Sequence, residues 1–188
     1  GVTTLNTEVG PKRLELLHEL IPASATIGLL VNPTSPVAKA LTDDMQAAAR
    51  VLGRKLLVLN AGSEDQLDSA FATLAALRPA ALVVTTDAIF IRWTERLAEL
   101  SLRHGLPSIF QYRTFAAAGG LMSYGGDFAD SFRKFGAYAG RVVKGERPAE
   151  LPVQQSTKVE LFINLKIAKA LGLTMPPQLL ARADAVVE

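Results

Sequence analysis

Apolar and polar positions along the chain switch repeatedly between a helical and a strand period. Leu14, Leu17 and Ile21 recur at helical spacing, with Pro11 in the first turn, and predict a helix over residues 11–20. Residues 26–31 (TIGLLV) are a short apolar run ended by Asn32-Pro33, which suits a strand buried on both faces. A second helix follows over 36–52, with Val37, Leu41, Met45, Ala48 and Leu52 in one stripe and Gly53 placed to end it. The cycle repeats with a strand at 55–59 and a capping box, Ser63-Glu64-Asp65-Gln66, opening a helix that runs to Leu77. A strand at 81–84, a helix at 88–103 carrying Phe90, Trp93, Leu97 and Leu100, and strands at 107–110 and 121–124 complete it. This alternation predicts an α/β fold built on a doubly wound parallel sheet with short connections.

After Gly125-Gly126 the pattern changes. Phe128, Phe132, Phe135, Tyr138 and Val142 mark a long helix over 127–144, followed by a Pro-marked stretch at 145–155. A strand at 158–163, a helix at 164–171 ended by Gly172, a turn at Met175-Pro176-Pro177, a short helix at 178–182 and a last strand at Val186-Val187 close the chain.

Hydrophobic residues make up 49% of the 188 and charged residues 20%, enough for a buried core and unlike a disordered chain. The net charge of +2 comes from 20 basic and 18 acidic residues spread without runs, which argues against nucleic acid or an anionic membrane as partner. The absence of cysteine excludes disulfides, thiolate metal sites and a Cys nucleophile. No apolar stretch reaches membrane-spanning length. The opening Gly1-Val2-Thr3-Thr4 carries no signal peptide and reads as the middle of a protein.

Catalytic signatures do not assemble. Gly119-Gly120 and Gly125-Gly126 have the wrong spacing for a phosphate loop, and His18 and His104, set among charged residues, read as solvated surface. Asp43-Asp44 belongs on the outer face of its helix. No catalytic residue, metal or cofactor is expected. In an open parallel sheet, ligands bind beyond the carboxyl ends of the strands. The loops there hold hydroxyls, amides and aromatic rings, the groups a small polar ligand needs. They give Asn32, Thr34, Ser35, Thr86, Asp87, Gln111, Tyr112, Ser123 and Tyr124 as candidate ligand contacts. Each has a plainer reading. Asn32 and Thr34 turn the chain, Asp87 caps a helix, and one of the two tyrosines packs at a hinge.

Several stretches in register carry a resemblance: Gly10-Pro11-Lys12-Arg13-Leu14-Glu15-Leu16-Leu17, Val31-Asn32-Pro33, Gly120-Leu121-Met122-Ser123-Tyr124-Gly125 and Leu151-Pro152-Val153-Gln154-Gln155. They are followed by Asn164 to Leu173 (NLKIAKALGL) and Pro176 to Asp184 (PPQLLARAD). Together these resemble the ABC-transporter substrate-binding family that includes the tryptophan-binding TrpX-like proteins. The resemblance implies the type I periplasmic-binding-protein fold, with two α/β lobes, a hinge and a ligand clamped between them. It implies a first hinge crossing at residues 1–9, a complete second lobe at 10–122 and a crossing back at 123–126. Residues 127–163 would then belong to the first lobe, most of which lies ahead of residue 1, and 164–188 would pack near the hinge. The Phe stripe and the strand at 158–163 would lack neighbours, so self-association through 127–163 is expected.

The function implied is that of the solute-binding component of an ABC importer. It would be periplasmic or lipid-anchored outside the cytoplasm, would not be an enzyme, and would deliver its solute to an ATPase-driven membrane permease. The ligand implied is small and polar, with an amino acid, and an aromatic one in particular, as the specific candidate. Asp87 would hold the ligand ammonium. The family often has a further polar residue after that aspartate, where this chain has Ala88-Ile89-Phe90. Two alternatives stand beside this reading: the effector-binding domain of a transcriptional regulator, which shares the fold, and a flavodoxin-like or sugar-processing enzyme.

Overall fold

Strands β2 (Thr26–Val31) and β4 (Ala81–Val84) have almost no polar side chain to offer on either face, and the structure covers them on both sides. The computed structural model describes residues 1–4, 7–22, 25–156 and 158–188. Leu5 and Asn6 of the expected 1–9 crossing, and Thr157, lie outside the described residues. The other main-domain elements are α1 (Gly10–His18), α2 (Ala38–Val51), β3 (Lys55–Asn60), α3 (Glu64–Leu77), α4 (Ala88–Arg92), α5 (Thr94–Arg103), β5 (Ser108–Phe110), α6 (Arg113–Ala117) and β6 (Met122–Gly126). A smaller group holds β1 (Val2–Thr4), α7 (Phe128–Val143) and β7 (Gln154–Ser156). The tail returns with β8 (Val159–Asn164), α8 (Leu165–Ala170), α9 (Pro177–Ala181) and β9 (Ala185–Val187).

Seven strands form one sheet in the order β3-β2-β4-β5-β6-β8-β9. All neighbours are parallel except β6 and β8. Alternation along each strand divides the core in two. Ile27, Leu29, Ala81 and Val83 face α1, α2, α8 and α9, whereas Leu30, Leu82 and Val84 face α3, α5 and α6. Gly120 lets α6 close against the entry to β6, since a Cβ there would meet the Phe115 ring at 2.2 Å. Polar side chains at the ends of the parallel strands thus emerge at one rim of a largely apolar core.

The expected elements recur with three differences. The helix expected over 88–103 breaks at Trp93 into α4 and α5, where the Thr94 hydroxyl donates to the Ile91 carbonyl at 2.7 Å. Helix α6 and the pair β1–β7 had no periodic signal, being only five and three residues long. Most consequentially, the strand expected at 158–163 as an open edge is flanked on both sides. β8 pairs antiparallel with β6 and parallel with β9, inside the main sheet. β8 thus lies in the main sheet, and α7 lies outside it. His18 is corrected too. Its Nδ1 accepts from Arg54 Nε at 2.7 Å, and the same guanidinium caps the carbonyls of His18 and Ile21, so the ring is a half-buried structural acceptor.

Outside the sheet, β1 and β7 pair in parallel as a separate two-stranded sheet, with α7 packed on it. Tyr138 anchors this packing: it is buried and donates to the Pro152 carbonyl at 2.7 Å. The Phe stripe of α7 remains uncovered, with Phe128, Phe132 and Phe135 respectively 48%, 58% and 49% exposed. Contiguous aromatic exposure of this kind drives association in water. In sedimentation, the 188-residue chain is expected to self-associate at micromolar concentration. Phe132→Ser with Phe135→Ser should return it to monomer without lowering its melting temperature. A monomeric parent chain would contradict the reading.

Candidate functional site

The strand order reverses direction at β2, which has β3 on one side and β4 on the other. Chain connections leave to opposite faces at such a point and open a crevice beyond the carboxyl ends of the two strands. Asn32 follows β2 and Asp87 follows β4, and the two side chains meet across the crevice. Asn32 Nδ2 donates to Asp87 Oδ1 at 3.1 Å. Asn32 Oδ1 accepts from the Thr34 amide at 3.1 Å and the Thr34 hydroxyl at 2.8 Å, so the turn holds the amide in place. Asp87 caps α4, its Oδ1 accepting from the Ile89 amide at 2.9 Å. Both bonds fall on Oδ1, and among the described residues Oδ2 carries none. The capping reading and the ligand reading of Asp87 are therefore compatible in one carboxylate.

Beneath this rim lies a cation. Arg13, in the first turn of α1, is 1% exposed. Its Nε donates to the Tyr124 carbonyl at 2.7 Å and its Nη1 to the Thr86 hydroxyl at 3.1 Å, tying the ends of β6 and β4 to one helix. Burial draws its pKa down to about 10, opposed by the nearby Tyr112 and Tyr124, so the group stays cationic at neutral pH. Arg13 was not among the expected site residues. A signal existed, because a cation in a helical first turn opposes the helix dipole and needs another reason to be there.

A second polar group lies farther along the sheet. Gln111 and Tyr112, after β5, border a cavity of about 860 Å³ that Phe128, Asp127, Arg113, Glu160 and Phe162 also line. Tyr112 packs edge-on against Phe128 at 4.9 Å, and the Arg113 guanidinium sits 5.1 Å above the Phe162 ring. Lys158 bridges Asp127 at 3.0 Å and Glu160 at 2.7 Å. The Asp127 carboxyl is held below its usual range, first by capping the Asp130 amide and then by Lys158, whose own pKa rises.

The expected residues thus divide. Asn32, Thr34, Thr86 and Asp87 gather at the switch point, with Tyr124 joined to them through its backbone carbonyl. Gln111 and Tyr112 belong to the cavity. Ser35 serves the turn after β2, its amide donating to the Asn32 carbonyl at 3.2 Å. Ser123 lies buried within the sheet. The Tyr124 ring packs on the α1 side of the core. Phe128 and Phe162 join the cavity without having been expected.

A doubly wound sheet with polar side chains gathered at its switch point is the build of a type I periplasmic-binding-protein lobe. The family model for ABC transporter substrate binding proteins matches residues 1–187, and the chain belongs to that family. No curated protein matches it. Among solved structures, a conserved domain protein from Vibrio cholerae is 24% identical with a TM-score of 0.83, the match covering 94% of this chain and 60% of that one. The ABC domain from Streptococcus pneumoniae in complex with L-Trp is 25% identical with a TM-score of 0.83, covering 95% and 60%. A LacI-family repressor from Corynebacterium glutamicum shares the fold at 15% identity and a TM-score of 0.54, covering 82% and 62%. The chain spans about 60% of the length of the first two of these structures. Among the described residues no helix is long and apolar enough to cross a membrane.

Replacing Arg13 by Met should remove its hydrogen bonds to the Tyr124 carbonyl and the Thr86 hydroxyl and destabilise the fold by about 1–3 kcal/mol. Arg13→Lys should not restore it, because one ammonium lacks the planar fork that spans both acceptors. Thermal melts in which Arg13→Lys matches the parent would refute the bridging role.

Proposed function

We propose that the chain is the solute-binding component of an ABC importer and that it takes an L-amino acid, an aromatic one in particular. The observation that carries the reading is the cluster at the switch point, where, among the described residues, Asp87 keeps one carboxylate oxygen unengaged beside Asn32 and Thr86. A ligand ammonium on that oxygen would form a charge-assisted hydrogen bond. Membership of a substrate-binding family and the L-Trp complex of the Streptococcus pneumoniae relative support it. In this reading, ligand favours the closed arrangement of two lobes by binding it more tightly than the open one. The closed form then engages a membrane permease outside the cytoplasm. The repressor reading is supported by fold likeness alone.

Calorimetry with L-tryptophan and a panel of other L-amino acids tests this. Asp87→Asn keeps the cap and the size but loses the charge. It should weaken binding by roughly 2–5 kcal/mol with the melting temperature preserved. Asp87→Ala should lose binding and also cost about 0.5–2 kcal/mol of stability through the missing cap. Unchanged affinity in Asp87→Asn would retire the ammonium role.

A further inference from the structure

Gln111 is 1% exposed, and neither Oε1 nor Nε2 of its amide has a hydrogen-bond partner among the described residues. A buried amide left unpaired destabilises the fold. The residue borders the cavity of about 860 Å³, whose walls are the rings of Tyr112, Phe128 and Phe162. The lining charges do not build a potential of one sign. Arg92 and Arg113 face Glu95, Asp127 and Glu160, and Lys158 neutralises the last two. The cavity therefore combines flat aromatic walls, a mixed rim and one side chain that offers a donor and an acceptor side by side.

Resting on the solute-binding role and separate from the amino-acid ligand proposed for the switch point, we propose that Gln111 is a specificity-determining residue of this second cavity, for a neutral, planar solute bearing an adjacent N–H donor and C=O acceptor, as in a lactam or a carboxamide. A rotamer change of this one side chain turns its amide into the cavity, where the solute's paired edge satisfies both atoms at once. The ring lies against Tyr112 and Phe162. A solute with the same ring but no N–H leaves the glutamine carbonyl unpaired and is rejected, as sites built around a hydrogen bond reject analogues lacking it.

Saturation-transfer NMR on the 188-residue chain, with millimolar uracil, nicotinamide, 1,3-dimethyluracil and L-tryptophan as separate probes, tests this. Uracil or nicotinamide should show transfer and dimethyluracil should not. Gln111→Met should weaken the uracil or nicotinamide signal by about tenfold in affinity or more while raising the melting temperature, since it deletes an unpaired buried amide. Gln111→Glu, which keeps the size but not the donor, should weaken it too. Absence of transfer from both uracil and nicotinamide overturns the inference. If L-tryptophan then binds, the solute-binding reading stands without it. If no probe binds, the inference and the amino-acid reading fall together. Equal uracil or nicotinamide affinity in Gln111→Met also overturns it, because a merely structural glutamine would leave binding untouched.

Discussion

Burial of the central strands on both faces is the constraint on which the site depends. With β2 and β4 sealed by helices above and below, a polar side chain in either strand would lose water without gaining a partner. Polar chemistry is thereby pushed to the strand ends, and the reversal of strand order at β2 decides which ends lie open. Asn32 and Asp87 meet because each lies just beyond one of those two strands, where the crevice brings them within hydrogen-bond reach. Arg13 extends the same logic. It is tolerated in the interior because its guanidinium closes on acceptors belonging to two strand ends, and it thereby fixes the position of the rim above it.

The alternation of helical and strand periods made most of the main domain legible from sequence. TIGLLV and ALVV, bounded by Asn32-Pro33 and by Thr85-Thr86, carry their own ends, and the Ser63 cap sits where its motif placed it. What escaped was set by tertiary context. Arg13's place in a helical first turn hints that it has a task, but only the approach of β4 and β6 shows which partners it takes. Five residues of α6 are too few to show a period. The pairing of β8 with β6 depends on where the chain goes after α7, which no local pattern encodes.

The two polar groups at the rim differ in kind. At the switch point Asn32, Thr34 and Asp87 are tied to one another by hydrogen bonds. At the cavity the aromatic walls belong to three different elements, α7, β8 and the turn before α6. One of them, Phe128, is carried by a helix that stands apart from the main sheet. Movement of α7 therefore reshapes the cavity while leaving the switch-point cluster as it is.

The close of β6 against β8 has a further consequence. Their ladder runs to Gly126 and Val159, and one more bond joins the Asp127 amide to the Lys158 carbonyl at 3.0 Å. The excursion through α7 and β7 thus begins and ends at adjacent points, like a loop inserted at the tip of a β-hairpin. Loop-closure entropy grows only slowly with length, so such an insertion can lengthen, shrink or be exchanged at small cost to the sheet that carries it. Nothing in the ladder of β6 and β8 depends on what the excursion contains, which leaves the main domain free to keep its rim while the part facing it across the cavity changes.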